Sequence, residues 1–332
     1  MNFEDITGQK HISENLKKHV AGNKTGHAYV FSGPEGIGKK LMAGAFAKAL
    51  MCLDPIDGNA CDKCMSCNLI RNRANPDYFV LSVEEGNILI DDIRSIQKEI
   101  YLRPVYAKRK VYFIPEAERM TVQAQNCLLK ILEEPPLYAV LILSCVKFDS
   151  MLKTIQSRVL QFRFTKYNKN EIIEILRRKG IEKTQEESFV LNYCNGIPGI
   201  ALKISGCCDK IDLRKIREDT LNILSKLILE KKPLCKMHFR EYVDKEKDNI
   251  NMILDIIQVF FRDLLIYKTG NSVRKYLINA DKTDLIDRCA GYCTSRILIN
   301  NISAIEMIKE SLKQNVNLQL CIDSLVIGIW ED

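Results

Sequence analysis

The sequence predicts an α/β fold, a parallel sheet with helices on both faces, followed by an all-α second half. Three observations carry that expectation. Apolar runs of strand length alternate with amphipathic helical patterns as far as Thr165, the mark of strand–helix–strand units. Between the first strand and the first Ala-rich helix lies a glycine-rich loop of the phosphate-binding type. Beyond Thr165 the strand signals stop and the remaining patterns are helical. A chain of 332 residues is expected to divide into two or three domains.

The first strand is Ala28 to Ser32, centred on Tyr29 to Phe31, and the Ala-rich helix runs from Leu41 to Leu50. Between them, Gly33-Pro-Glu-Gly36-Ile-Gly38-Lys39-Lys40 follows the pattern G-x-x-x-x-G-K-[ST] except at its last position. Glycines at 33, 36 and 38 let successive backbone N–H groups turn toward one anion, and the helix N-terminus adds partial positive charge. Lys39 is placed to reach the β/γ-phosphates. Lys40 replaces the hydroxyl that would hold Mg²⁺, and an ammonium cannot ligate a hard cation. Next come a strand at Tyr78 to Val83 and an amphipathic helix marked by Ile90, Ile93, Ile96 and Ile100. Val111 to Ile114 is a further core strand, led in by Lys108, Arg109 and Lys110. In a hydrolysing protein of this type the end of that strand supplies the acid that fixes Mg²⁺. Here Pro115 stands at that place, and Glu116 remains where a carboxylate would polarise water. Two lesions on one metal ion argue against hydrolysis by this chain alone, and against ATP–Mg²⁺ as its working cofactor. The helix Gln123 to Glu133 and strands at Val140 to Ser144 and Leu160 to Phe164 complete the sheet pattern.

Thirteen cysteines in a small secreted chain would suggest disulfides, but Met1 to Lys10 is polar and no apolar run is long enough to span a bilayer. Reduced thiols in the cytoplasm fit better. Four cysteines are grouped, Cys52 and then Cys61-x-x-Cys64-x-x-Cys67, with turn residues Asp54-Pro-Ile-Asp-Gly58 between. Two interlocking C-x-x-C steps present thiolates to a tetrahedral ion, and Cys52 closes the shell. The expectation is a structural zinc site within residues 50–70. Four thiolates leave no open position for catalysis. A redox C-x-x-C or chance clustering are the other readings. The remaining cysteines, among them Cys127, Cys145, Cys194, Cys207, Cys208, Cys235, Cys289, Cys293 and Cys321, read as small buried apolar side chains.

In the second half, Asn170 to Lys179 has an acidic start, a basic last turn and a following Gly180, as the helix macrodipole favours. Gly196-Ile-Pro-Gly199 interrupts the next helical pair, and Gly206 to Asp209 reads as a hinge. Long helices are expected at Leu213 to Leu229, Ile250 to Tyr267 and Asn301 to Ile329. The broad apolar face of Ile253, Leu254, Ile257, Phe260, Phe261 and Leu264 fits either a helix partner from another chain or an ordinary core. Net charge is +7, with +4 on residues 1–164 and +3 on the rest. No basic stripe demands a nucleic acid, and most of this charge reads as solvated surface.

Gly8-Gln9, His27-Ala28-Tyr29, the phosphate loop, the four-Cys insert, Asn75-Pro-Asp77, Leu128-Leu-Lys-Ile-Leu-Glu-Glu-Pro-Pro136 and Ser157-Arg158 occur in an order that resembles the delta-prime subunits of the bacterial DNA polymerase III clamp loader, within the AAA+ proteins. The resemblance covers essentially the full chain and is strongest over residues 1–165. It implies an AAA+ domain with the cysteine module at 1–165, a small helical lid at 166–208 and an oligomerising helical collar at 209–332, to which Asn315-Val-Asn317-Leu318 in the last helix belongs. It implies a non-hydrolysing stator, joined to the ATPase subunits and delta in a hetero-oligomer that acts on the sliding clamp and primed DNA during replication. The family's Ser-Arg-Cys reads Ser157-Arg158-Val159 here, so Arg158 maps onto an arginine finger pointed at the γ-phosphate of the next subunit. The family also implies a polar sensor at Ser144, while Ile200 stands in the region of a second sensor arginine.

Two other readings remain open. One is a self-contained AAA+ ATPase with unusual metal ligation, in which Glu116 or another carboxylate replaces the missing aspartate. The other is a zinc-dependent nucleic-acid binder, although Cys61 to Cys67 contains only Lys63 to meet phosphates.

Overall fold

A strand buried on both faces is expected to be almost wholly apolar, and the central strands here are so except at Ser32, Lys110 and Ser144. The computed structural model describes residues 2–22, 25–82, 86–181, 187–205, 213–270, 276–314 and 316–330. Five parallel strands, β1 (Ala28–Ser32), β2 (Tyr78–Val80), β3 (Lys110–Ile114), β4 (Ala139–Cys145) and β5 (Leu160–Arg163), lie in the order β2-β3-β4-β1-β5. Every residue of β1, β3 and β4 is buried. β2 is shorter than expected, and its anticipated end at Val83 lies outside the described residues. The register sets Ser32 beside Cys145 and Ile114 beside Leu143, so the carboxyl ends of β1, β3 and β4 open on one edge. Ligands of open α/β sheets bind at that edge.

The helices of this part are α1 (Lys10–Ala21), α2 (Lys39–Met51), α3 (Met65–Arg71), α4 (Ile90–Ile100), α5 (Val122–Glu133), α6 (Lys153–Gln156) and α7 (Lys169–Arg178). On one sheet face, Ile93, Ile96 and Ile100 of α4 and Leu128, Ile131 and Leu132 of α5 pack on Val30, Tyr112 and Leu141. The other face is aromatic: Tyr29, Phe31, Phe46 and Phe162 meet at ring separations of 4.8–6.4 Å. Asp77, fully buried, accepts from the backbone N–H groups of Val105, Tyr106 and Ala107 at 2.7–2.9 Å and so shapes the turn leading into β3. Asn168 and Glu171 cap α7 reciprocally, each side chain accepting from the other's backbone N–H.

Further along are α8 (Glu187–Tyr193), α9 (Pro198–Ile204), α10 (Leu213–Glu230), α11 (Pro233–Lys245), α12 (Ile250–Thr269), α13 (Thr283–Ala290), α14 (Ser295–Lys313) and α15 (Leu318–Trp330). The chain divides into two compact units, residues 1–178 with 196–200, and residues 179–195 with 201–332. The segment 166–208 is shared between the two units. The hinge expected at Gly206 to Asp209, with Cys207 and Cys208, lies outside the described residues.

In the second unit one expectation changes and one open alternative is decided. The single helix expected from Asn301 to Ile329 is two, α14 and α15, and Asn317 lies in the break between them, before α15 begins at Leu318. Asn301 supports the pairing of the two helices: its buried amide donates to the carbonyls of Ile297 and Gly328 at 2.9 and 2.8 Å. The apolar face of α12 is covered by this chain's own α10, α13 and α14, with Ile253, Leu254, Ile257, Phe260, Phe261 and Leu264 all buried. Asp263 on the same helix is fully buried and accepts from the backbone N–H groups of Ile278 and Asn279 and from the Asn279 side-chain amide. The cysteines at 145, 194, 235, 289, 293 and 321 are buried as expected; Cys127 is half-buried.

Candidate functional site

The phosphate loop keeps its backbone. Leaving β1, the chain passes through Gly33, Gly36 and Gly38 with φ of +152°, +74° and +101°, which only glycine adopts readily, and enters α2 at Lys39. The Lys39 ammonium donates to the loop's own carbonyls, Gly33 O and Pro34 O, the latter at 2.9 Å. Burial pulls its pKa below the ordinary lysine value, with Glu118 the strongest opposing charge.

The metal side of the loop is rebuilt. Lys40 Nζ lies 3.2 Å from Glu116 Oε1, and Arg119 Nη1 donates to Glu116 Oε2 at 2.8 Å. Arg119 first, and Lys40 after it, hold the Glu116 carboxyl below the usual carboxylate range. A carboxylate bracketed by two cations is a weak base for water. Pro115 separates Glu116 from the end of β3, and Glu116 sits in the left-handed region at φ +51°. The buried Ser144 Oγ accepts from the Glu116 backbone N–H at 3.4 Å. The fold therefore brings Lys39, Lys40, Glu116 and Ser144 to one edge. The nearby Glu118 accepts from Val146 N through Oε1 at 2.9 Å, while its buried Oε2 has no hydrogen-bond partner.

Sequence reasoning missed what covers this loop. Gly199 N donates to Gly36 O at 2.9 Å, and a Cβ on Gly199 would stand 2.7 Å from Gly36 Cα. The helix-breaking Gly196-Ile-Pro-Gly199 is thus a second glycine turn laid on the first, and Ile200 follows it directly. The available signal was the spacing itself, since two glycines around a proline suit a close backbone approach.

Arg158 lies elsewhere in this unit, after the short α6. Gln156 is tied to Phe148 O and Met151 O, Leu152 N donates to Gln125 of α5 at 2.8 Å, and Ile155 is fully buried. The backbone that carries Arg158 is therefore fixed to α5. Its side chain is 37% exposed, and the guanidinium donates to Thr154 O at 3.0 Å and pairs with Glu133 Oε1 at 3.1 Å. Val159, in the place of the family's cysteine, packs as a small apolar side chain on the core. Glu133 was not singled out in the sequence, although two glutamates at a helix C-terminus oppose the macrodipole and call for a cation.

The cysteine module is gathered as the spacing predicts. The sulfurs of Cys52, Cys61, Cys64 and Cys67 all lie within 4.8 Å of one another, and those of Cys52 and Cys64 are 4.0 Å apart. Zinc–sulfur bonds of about 2.3 Å in a tetrahedron require sulfur separations of about 3.8 Å. Backbone N–H groups of Cys61, Cys64 and Cys67 point at the sulfurs of Cys52, Cys61 and Cys64 at 3.2, 3.4 and 3.5 Å, the arrangement that stabilises thiolates. The Lys63 N–H foremost draws the Cys61 thiol down to about 7, whereas burial raises Cys67. All four are free thiols, and the donor set fits zinc. Lys48 and Asp62 pair beside the module, and Asn2 donates to Asp62 as well.

Residues 8–168 match the family model described as DNA polymerase III, delta subunit, and residues 212–329 match that described as DNA polymerase III, delta subunit, C terminal. The chain is 31% identical over 308 residues to DNA polymerase III subunit tau of Bacillus subtilis (strain 168), covering 85% of this chain and 53% of that protein. It is 32% identical over 208 residues to DNA polymerase III subunit gamma of Buchnera aphidicola subsp. Schizaphis graminum, covering 61% and 57%. It thus spans little more than half the length of these relatives. Among solved structures, a DNA polymerase III gamma subunit-related protein from Thermotoga maritima aligns with 22% identity and a TM-score of 0.45, covering 88% of this chain and 97% of that one. Among the described residues, no helix is long and apolar enough to cross a membrane. Matched in both halves by these models, the chain belongs to the DNA polymerase III delta-subunit family.

Proposed function

We propose that this chain is a clamp-loader subunit of the delta-prime type, a stator that does not hydrolyse ATP and that supplies Arg158 in trans to a neighbouring ATPase subunit. Its partners are the ATPase subunits and delta, and through them the sliding clamp and primed DNA in the cytoplasm. Residues 1–165, 166–208 and 209–332 serve as AAA+ domain, lid and collar, and zinc on Cys52, Cys61, Cys64 and Cys67 is structural. When bound, zinc cross-links the excursion between α2 and α3 and takes no part in chemistry.

The observation that carries this reading is the Lys40–Glu116–Arg119 chain of ion pairs. Where a hydrolysing relative needs a hydroxyl, a metal aspartate and a free general base, this chain has an ammonium, Pro115 and a doubly paired carboxylate. Arg158 keeps the planar, permanent cation that stabilises charge on a transferring phosphoryl group. The relatives compared above are gamma and tau subunits, so the delta-prime assignment rests on these site residues.

One observation favours the self-contained ATPase instead: the unpartnered Glu118 Oε2 near Lys39 is a spare oxygen for a metal ion. Turnover of ATP by the isolated chain with Mg²⁺ separates the two. The stator reading expects none. Turnover abolished by both Lys39→Ala and Glu118→Gln would establish the alternative.

A further inference from the structure

We infer that Glu133 is a positioning residue for Arg158, holding its guanidinium folded back until a neighbouring subunit presents a phosphate chain. This rests on the trans-acting reading of Arg158. Arg158 Nη2 lies 3.1 Å from Glu133 Oε1 while Nη1 donates to Thr154 O at 3.0 Å and to Ser157 Oγ at 3.3 Å. A guanidinium so engaged points its donors at its own chain. A finger that acts on another subunit must give these contacts up.

The two ends of the contact are built differently from their side chains. Glu133 is the last residue of α5 and is followed by Glu134-Pro135-Pro136, which stop the helix. Arg158 follows Gln156, whose amide is bonded to Phe148 O and Met151 O, and α6 is anchored by the buried Ile155. Both backbones are therefore braced, and the contact can be made and broken by side-chain motion alone. Glu133 and Glu134 stand at the negative end of the α5 dipole, where a carboxylate is unfavourable without a cation. Arg158 relieves that repulsion.

The strength of the pair matters more than its existence. The side chains are 37% and 52% exposed, and solvent-exposed pairs shift an equilibrium by a factor of about two to five. A deeply buried pair would lock the finger away; this one only biases it. A γ-phosphate in a water-poor interface outcompetes a solvated carboxylate for a guanidinium, because it carries more charge and accepts a bidentate pair. Glu133 therefore biases the finger toward the retracted position in the resting assembly and yields it when the interface closes. Its effect falls on the basal rate and not on the fully stimulated one.

The test uses the full chain reconstituted with its ATPase partner subunits. Steady-state ATPase is measured without and with saturating clamp and primed DNA, for wild type, Glu133→Gln, Glu133→Asp, Arg158→Ala and the Glu133→Gln/Arg158→Ala double variant. Thermal melting and complex assembly are followed alongside. Expected is a basal rate raised by Glu133→Gln, by less than the shift of about two- to fivefold at the one interface that Arg158 serves because the others are unaltered, with the stimulated rate unchanged, near-wild-type behaviour for Glu133→Asp, and no effect of Glu133→Gln once Arg158 is gone. An unchanged basal rate in Glu133→Gln, with Arg158→Ala still impaired, overturns the Glu133 role and leaves the finger standing. A rise in basal rate that persists in the double variant also overturns it. No effect of Arg158→Ala removes the trans-acting reading itself.

Discussion

The phosphate loop and the Arg158 edge belong to one compact unit and keep opposite things. At the loop, the backbone survives intact, with three glycines at positive φ, while the groups that handle metal and water are replaced or neutralised. At the edge, the guanidinium of Arg158, the group proposed to act in trans, stands on a backbone braced against α5. A geometry retained without its chemistry is explained by packing. Gly36 is wanted because Gly199 lies against it, whether or not a nucleotide ever does. On the proposed reading, Arg158 serves a nucleotide held by another subunit and needs no pocket of its own.

The largest expected break in this comparison lies beside it, in the cysteine module. Cys64→Ser should remove most of about one zinc per chain and unfold the excursion from Cys52 to Cys67, because a three-thiolate site binds far more weakly. Metal analysis and alkylation of the remaining thiols check it; a zinc-free protein with an unchanged melting profile would contradict it. Loss of the module with an unaltered sheet would show that α2 and β1 stand without it.

Next in size is the packing claim. Gly199→Ala drives a methyl to within 2.7 Å of the Gly36 backbone, and such overpacking costs about 1–3 kcal/mol. Denaturant unfolding should show that loss. If the variant were as stable as wild type, the two glycine turns would not be in contact, and the intact loop would need another explanation. Lys40→Thr sharpens the chemical half: it restores one hydroxyl, but Pro115 and the paired Glu116 remain, so isolated-chain ATPase should stay at background.

The smallest effect is electrostatic. Glu116 is nearly half exposed, so Glu116→Gln should lower Tm by only on the order of 1–2 °C near neutral pH. Because Arg119 and Lys40 depress its folded-state pKa, the stabilisation exists above the ordinary carboxylate value of about 4.3 and disappears as pH falls through the lower folded value. Wild type and Glu116→Gln should therefore converge in melting experiments at acid pH. A gap that widened with acid would mean that the carboxyl is not the paired group.

Much of the first unit could be read in advance because its signals are local. Ala28–Ser32 and Ala139–Cys145 are continuous apolar runs that only a two-faced buried strand accepts, and the C-x-x-C spacing fixes where thiolates meet. What escaped was non-local. Nothing in Asn75-Pro-Asp77 says that the Asp77 carboxylate will organise three N–H groups some thirty residues on, and nothing adjacent to Glu133 names Arg158 as its partner. In the second unit, the break between α14 and α15 was invisible because Asn301 to Ile329 is apolar at helical spacing on both sides of it. The α12 face stayed open between two readings for a similar reason: a broad apolar stripe does not say whose surface will cover it.

The most direct test of the central claim is the clamp- and DNA-stimulated ATPase of assemblies reconstituted with wild type, Arg158→Ala or Arg158→Lys. An arginine finger is worth about 10³–10⁵ in rate at a single site, but the other interfaces keep their own, so the measured fall in the whole assembly will be much smaller. Arg158→Ala should lower the stimulated rate and clamp loading while leaving zinc content and assembly unchanged, and Arg158→Lys should rescue poorly, since a point charge does not reproduce the planar fork. Arg158→Ala assemblies that hydrolyse ATP and load clamps at the wild-type rate would contradict it, leaving Arg158 as a surface residue paired with Glu133.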